Sequence, residues 1–237
     1  MKRVIIILCL VLIQVCFGFN NSPYNKSLGV VIKRSNTYNG CLRSIRSSRN
    51  IDLVNDIKEN DLIPNVKVMI DVKEMSNEET SKDTSEFQDV DTHELFQNKR
   101  ILLISLPGAY TPTCTSKMIP EYEKEYDYFI NEKKFDDIYC ITNNDIYVLK
   151  NWFKYMDIKK IKYVSDGNSA FTERMNMLVD KSNFFLGMRP WRYVAIIENN
   201  VLKKMFQEEN KMHNIQSDPY IVSSLSNVRE FLKTHEI

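Results

Sequence analysis

The sequence is poor in the residues that build many common ligand sites. It has only six glycines and three histidines among 237 residues. With so few glycines there is little room for a loop that cradles phosphate groups. His93, His213 and His235 lie in unrelated contexts, and no Cys/His spacing indicates a zinc site. We therefore expect neither a metal ion nor another cofactor.

Acidic residues are absent from the first 50 positions, which contain eight basic residues. The rest of the chain contains 24 basic and 31 acidic residues, so the net charge of +1 combines a basic leader with an acidic domain. An acidic domain argues against nucleic acid as a partner. The length and the apolar content of 43% fit one globular domain with extensions.

The basic leader divides into two parts. Residues 1–19 have a basic start and an apolar run, which is the layout of a signal peptide. An uncleaved anchor is the alternative, but the run is short for a span of about 20 residues. Residues 20–55 are polar and mainly basic, as in a transit peptide or in a disordered segment of a secreted protein. Residues 56–237 form the predicted domain, free of the membrane once the leader is removed.

Apolar runs and helical patterns alternate along this domain. Strands are predicted at 62–68, 100–106, 137–142 and 161–165, helices at 91–96, 145–156, 168–178 and 223–235, and a hairpin at 193–198 and 201–207. Residues 75–91 are predicted to be a loop or a hairpin excursion. This order predicts an α/β fold of the thioredoxin type, with a central mixed sheet flanked by helices.

The segment after the strand at 100–106 contains the best candidate for chemistry. Pro107 and Gly108 end the strand. Thr111 is the predicted N-cap and Pro112 the first helical residue, which places Cys114 in the first helical turn. Backbone N–H groups there lack partners and the helix dipole favours negative charge, hence the reactive thiolate.

The dipole alone is too weak to make the thiolate dominant at neutral pH. It contributes roughly 0.3–1 kcal/mol, and about 2 kcal/mol in a partly buried site. A nearby cation is therefore required. The alternative is that Cys114 is a buried packing residue. Pro120 lacks the N–H that would bond the Ser116 carbonyl, so a kink is expected one turn past the cysteine.

Pro107, Thr111 and Cys114 form the pattern Pro-x-x-x-Thr-x-x-Cys, which resembles the active-site signature of the peroxiredoxins. The longer Pro-Gly-Ala-Tyr-Thr-Pro-Thr-Cys is similar to their type-five (type II) branch. The resemblance covers roughly residues 60–237 and implies a thiol peroxidase that forms a homodimer. The branch usually has His where this chain has Met118 and Gly where it has Glu121. We expect these two differences to alter packing rather than the reaction.

The resemblance also assigns roles to individual residues. The family's Arg-x-x-Arg-Tyr matches Arg189 and Arg192, of which Arg192 supplies the cation facing Cys114 and Arg189 orients the pocket. Without the resemblance, Arg192 would be read as a surface arginine at a strand start. Pro107 shields the thiolate, and Thr111 caps the helix or hydrogen-bonds the peroxide. Gly108 and the backbone near Thr113 complete the expected peroxide site.

The cysteine count predicts how such an enzyme is recycled. No cysteine follows Cys140, which lies within an apolar run and is predicted to be packing. Cys114 would react with hydrogen peroxide or an organic hydroperoxide, and its sulfenic acid would condense with an external thiol. We expect glutathione with glutaredoxin, or thioredoxin, as that reductant. The leader resembles the bipartite leader of a secondary plastid such as the apicoplast, with the secretory pathway or mitochondrion as alternatives.

Two other functions remain open from the sequence alone. A thiol–disulfide oxidoreductase on the same fold would need Cys-x-x-Cys, whereas this chain has Cys114-Thr115-Ser116-Lys117. A redox-sensing protein, a chaperone or an interaction protein would use the thiol for packing and show no peroxidase turnover.

Overall fold

The computed structural model of this protein describes residues 56–75 and 87–235. The predicted signal and transit segments lie outside these residues, so they stay predictions. Within the two ranges, no helix is both long enough and apolar enough to span a bilayer.

The described residues contain nine strands, of which seven form one sheet in the order β2-β1-β5-β4-β3-β8-β9. The strands are β1 (Lys67–Asp71), β2 (Phe87–Asp91), β3 (Arg100–Ser105), β4 (Asp137–Thr142), β5 (Lys162–Ser165), β6 (Leu178–Asp180), β7 (Met188–Pro190), β8 (Tyr193–Glu198) and β9 (Val201–Gln207). β3, β4 and β5 are parallel neighbours, and the other pairings in this sheet are antiparallel. The prediction of a mixed sheet is confirmed.

Helices cover both faces of the sheet. They are α1 (Val72–Met75), α2 (Thr92–Phe96), α3 (Ile119–Lys124), α4 (Ile146–Met156), α5 (Ala170–Arg174) and α6 (Leu225–Thr234). Two π-helical turns (Cys114–Met118 and Tyr128–Glu132) and one 3-10 turn (Ser182–Phe184) complete the list of helical segments. The thioredoxin-type arrangement predicted from the sequence is therefore present.

β3 supplies side chains to a core on each side of the sheet. Leu102 and Ile104 pack in the cluster that includes α3, α4 and α6. Ile101 and Leu103 pack in the opposite cluster with α2 and α5. Because both faces are buried, the strand reads as a continuous apolar run, as is usual for parallel strands.

Several predicted elements have the expected bounds. β4 matches the prediction at both ends, and α4 begins after Asp145, whose carboxylate accepts a hydrogen bond from the Val148 N–H. The β8–β9 turn uses Asn199 and Asn200, with φ of 46° and 66°. These positive values suit the short turn of a hairpin.

Two predictions at other places were wrong in extent. The first strand begins at Lys67 rather than at residue 62, and Leu62 makes only an isolated bridge with Val201. Pro64 has no N–H to offer a sheet, which explains the late start. The helix predicted to reach residue 178 ends at Arg174, because Asn176 turns the chain in the left-handed region (φ 55°). Residues 178–180 instead pair with β7, a two-stranded sheet that the sequence reading missed.

Candidate active site

Cys114 lies at the start of a helical segment directly after the end of β3. Residue 112 is the first helical residue, and the Thr115 N–H donates to the Thr111 carbonyl at 3.0 Å. Cys114 therefore lies in the first helical turn, as predicted. The Cys114 side chain has no exposed surface.

The helix is wider than an α-helix around the cysteine. The Ile119 N–H donates to the Cys114 carbonyl, five residues back, so Cys114–Met118 is a π-helical turn. Pro120 follows in the first turn of α3 and has no N–H to offer the Ser116 carbonyl. The departure from regular helix that the proline predicts thus takes the form of a widened turn that carries the cysteine.

Arg192 meets Cys114 because β8 runs antiparallel to β3. Ser105 at the end of β3 pairs with Tyr193 at the start of β8, so the residue before β8 lies beside the helix that follows β3. The Arg192 Nη1 is 3.4 Å from the Cys114 Sγ. The side chain is only 1% exposed, which excludes the alternative of a surface arginine.

The guanidinium of Arg192 has further partners that the sequence did not indicate. Nη1 also lies 3.3 Å from the Met118 Sδ, and Nη2 donates to the Asp218 Oδ1 at 2.6 Å. Burial lowers the pKa of the guanidinium, but Cys114 and Asp218 outweigh this and raise it above its ordinary value. Nε is buried without a partner among the described residues. Arg192 is therefore a fixed cation whose Nε–H is available to donate a hydrogen bond to a ligand.

Pro107, Gly108 and Thr111 form the turn that leads into this helix. Pro107 and Gly108 are buried, and Thr111 is half-buried. The Thr111 hydroxyl donates to the Gly108 carbonyl at 2.8 Å. Among the described residues no helical N–H donates to the Thr111 Oγ1, so the predicted cap bond is not formed. Because its hydrogen is used in this bond, the hydroxyl can serve a bound peroxide only as a hydrogen-bond acceptor. Thr113 is half-buried in the first turn beside Cys114.

Arg189 supports the same turn from β7. Its Nε donates to the Leu186 carbonyl at 2.8 Å, and burial lowers the pKa of its guanidinium. A Cβ atom on Gly108 would lie 3.0 Å from the Arg189 Nη1 and 2.9 Å from the Asn144 Oδ1, which already accepts the Ala109 N–H. Only glycine lets this backbone approach both side chains so closely.

A pocket of about 360 Å³ opens beside the cysteine's turn. Apolar side chains of Phe184, Leu186 and Ile215 form part of its wall. Thr111, Lys181 and Asp218 add polar groups. The wall also includes Pro107. A small polar molecule with an apolar tail fits this lining.

A loop between β9 and α6 brings Asp218 to Arg192. No sequence motif predicted this contact. The carboxylate of Glu208 accepts the Ile221 and Ser223 N–H groups, each at 2.8 Å. The Tyr220 hydroxyl donates to the Glu121 Oε2 at 2.8 Å. The only signal in the sequence was that an acidic residue precedes Pro219, which usually indicates a turn and nothing more.

Cys140 takes no part in this arrangement. It is buried in β4, and burial raises the pKa of its thiol well above the ordinary value. A protonated, inaccessible thiol is unreactive. Its position agrees with a packing role.

Known proteins resemble this chain in sequence and structure. A family model described as Redoxin matches residues 58–221. Peroxiredoxin y4vD of Sinorhizobium fredii is 41% identical over 145 residues, which cover 61% of this chain and 77% of the relative. A peroxiredoxin of Rhizobium etli is 42% identical over 147 residues, covering 62% and 82%.

Solved structures extend the comparison. The crystal structure of the Plasmodium falciparum antioxidant protein (1-Cys peroxiredoxin) shares 73% identity with a TM-score of 0.73, covering 75% of this chain and all of that chain. Reduced Prx3 of Vibrio vulnificus in complex with H2O2 shares 27% identity with a TM-score of 0.63, covering 74% and 99%.

Proposed function

Since this chain belongs to the peroxiredoxin family and is a thiol-dependent peroxidase, we propose that Cys114 is the thiol that reacts with peroxide. The observation that carries this assignment is the 3.4 Å contact between the Arg192 Nη1 and the Cys114 Sγ inside a buried site. Thr111 and Pro107, which lie in the same turn region, line the pocket.

The proposed reaction is a displacement at oxygen. The Cys114 thiolate attacks one peroxide oxygen, an S–O bond forms and the O–O bond breaks. The attacked oxygen stays on sulfur with its hydrogen, which leaves Cys114 as a sulfenic acid. The leaving oxygen takes the electron pair of the broken bond and a proton from solvent, and departs as water or alcohol. Arg192 and the first-turn N–H groups near Thr113 stabilise the charge on the leaving oxygen, and the Thr111 oxygen accepts a hydrogen bond from the peroxide.

The test of the assignment is peroxide consumption in variants of the full chain. Cys114→Ser should abolish turnover, while Cys140→Ser, the matched control, should retain it. Arg192→Lys should slow the peroxide step by at least tenfold, because an ammonium cannot contact the sulfur and Asp218 with two separate nitrogens. Undiminished peroxidase activity in Cys114→Ser would reject the site.

We propose further that an external thiol completes the cycle in a one-cysteine mechanism. In the part of the chain that the structure describes, the other thiol is Cys140, which is buried in β4. The first thiol condenses with the sulfenic acid and releases water, and a second thiol displaces Cys114 from the mixed disulfide. The external thiol we propose is glutathione with glutaredoxin, or thioredoxin. Stopped-flow mixing of the oxidised chain with each reductant tests this order.

A homodimer is proposed on an exposed aromatic face. Tyr147 and Tyr155 lie two turns apart on α4 and are 65% and 71% exposed. The Tyr110 ring is 5.8 Å from that of Tyr155. Exposed apolar patches of this kind mark interfaces, and a second copy of the chain is the occupant we propose. Tyr155→Glu should halve the mass measured by sedimentation, whereas Leu62→Glu, an exposed apolar control, should not.

The basic leader supports a proposal for location. Residues 1–55 combine an apolar run with a basic, polar stretch, and we propose that they direct the chain to a plastid of the apicoplast type. Fusing residues 1–55, or residues 20–55 alone, to a fluorescent protein tests the two-part signal. Secretion of the longer fusion, or a mitochondrial signal, would contradict it.

A further inference from the structure

Arg192 holds two acidic groups on different nitrogens. Nη1 faces the Cys114 sulfur at 3.4 Å, and Nη2 bonds the Asp218 carboxylate at 2.6 Å. The guanidinium itself is almost fully buried. A buried cation without a counter-charge is strongly unfavourable, so its partners matter at every stage of the reaction.

The charge on one of these partners changes during the cycle. Cys114 is negative as a thiolate and neutral as a sulfenic acid. The sulfur therefore balances the charge of Arg192 in only part of the cycle. The Asp218 carboxylate is bonded to the other nitrogen and takes no part in the oxidation of the sulfur.

We propose that Asp218 is a positioning residue that acts as the permanent counter-ion of Arg192. It keeps the guanidinium directed at Cys114 both when the sulfur is a charged thiolate and when it is a neutral sulfenic acid. The same carboxylate limits how strongly Arg192 holds the thiolate. This inference rests on the proposed roles of Cys114 and Arg192.

The loop that carries Asp218 is anchored to fixed parts of the fold. Glu208 is buried and accepts two backbone N–H groups of the loop, at Ile221 and Ser223. The Tyr122 hydroxyl in α3 donates to the Ser223 carbonyl at 2.8 Å. Asp218 is 43% exposed, so the loop and not burial sets its position.

Other ionisable groups near the pair do not replace Asp218. Burial lowers the pKa of Lys181, which donates to the Ile215 carbonyl. Burial also raises the pKa of Tyr220, whose ring lies 5.9 Å from the guanidinium, and that of the Cys140 thiol, so both stay neutral. Glu208 is engaged with backbone N–H groups. Among the described residues, Asp218 is the one carboxylate in ion-pair contact with Arg192.

Asp218→Asn separates charge from geometry, because the amide oxygen can still accept the Nη2 hydrogen bond. With the competing anion gone, the thiolate is the sole counter-ion, and its ratio to thiol at a given pH should rise about tenfold, the low end for a neighbouring charge. The acid limb of the pH–rate profile for peroxide reaction should move to lower pH by about one unit. A more tightly held thiolate is a weaker nucleophile, so the plateau rate should fall about threefold.

The profile is measured by stopped flow on the full chain, alongside three further variants. Asp218→Ala should show the same displaced acid limb and a plateau lower than that of Asp218→Asn, since Arg192 loses its anchor. Asp218→Glu keeps the charge and should retain the acid limb of the unmodified chain. Asp127→Asn, which removes an exposed carboxylate bonded to Lys160, is the matched control and should change nothing.

The outcomes separate the inference from the assignment beneath it. An unmoved acid limb in Asp218→Asn, or a fall in plateau rate alone that is equal in the Asn and Ala variants, would overturn the role of Asp218. If Asp218→Asn does not fold, as judged by circular dichroism, a displaced acid limb in Asp218→Glu would overturn it as well. Peroxide consumption that persists in Cys114→Ser would instead remove the proposed function itself.

Discussion

The bond between Glu121 and Tyr220 should control how readily a thiol reaches the oxidised cysteine. The Tyr220 hydroxyl donates to the Glu121 Oε2 at 2.8 Å and joins α3 to the loop that carries Asp218. Both side chains are half-buried. A hydrogen bond to a charged group contributes about 1.5–3 kcal/mol when buried, and we take about 1 kcal/mol for this partly solvated one.

This bond ties α3, which follows the cysteine's turn, to the loop between β9 and α6. The sulfur has no exposed surface, and a thiol reductant is far larger than a peroxide. The thiol step therefore requires a larger displacement of the cysteine's turn than the peroxide step does. Glu121→Ala should speed the thiol step about fivefold, which corresponds to about 1 kcal/mol, and change the peroxide step much less. Alanine keeps full helix propensity, so α3 itself is not weakened.

A double-mutant cycle with Tyr220→Phe measures the bond directly. Urea unfolding of the two single variants and the double variant should give a coupling free energy of about 1 kcal/mol. Stopped-flow experiments on the same proteins separate the peroxide and thiol steps. Glu132→Ala, an exposed glutamate with no described partner, is the control. Coupling near zero together with an unaltered thiol step would refute the reasoning.

Three further outcomes are expected. Gly108→Ala should lower the free energy of unfolding by about 1–3 kcal/mol and slow the peroxide step, because the new Cβ would lie 2.9 Å from the Asn144 Oδ1. Urea unfolding and stopped flow measure the two effects, and an unchanged free energy of unfolding would contradict the prediction. Iodoacetamide at pH 8 should alkylate Cys114 and spare Cys140, whose pKa burial raises; equal labelling in peptide mapping would disagree. Burial raises the pKa of Tyr122 and Tyr193, so their contribution to stability is complete below about pH 10, the ordinary tyrosine pKa, and declines above it. Urea unfolding from pH 8 to 11 should show that fall, and rising stability would contradict it.

Local patterns predicted the parts of the fold where one physical requirement dominates. β3 and β4 are buried on both faces, and each has four consecutive apolar residues at its centre, which is the pattern of a buried parallel strand. The β8–β9 hairpin was predictable because Asn199 and Asn200 tolerate positive φ. Thr111 and Cys114 were found from spacing within one short segment.

The site residues that the sequence did not predict are held by contacts between distant segments. Asp218 reaches Arg192 through a loop anchored on Glu208, and none of these residues has a characteristic spacing from the others. Met118 is periodic with the helix core, yet its sulfur touches the guanidinium. A side chain that both packs in the core and contacts the site fits the apolar periodicity of the helix, so the sequence predicts only its packing role.

The distance along the chain between Cys114 and Arg192 has a consequence for biosynthesis. The two residues are 78 positions apart, and the strand that brings them together is near the C-terminal end. At ribosomal speeds of about 5–20 residues per second, the cysteine precedes its arginine by roughly 4–16 s. A nascent chain therefore emerges with Cys114 apart from its arginine, and the contact between them forms only when β8 joins the sheet.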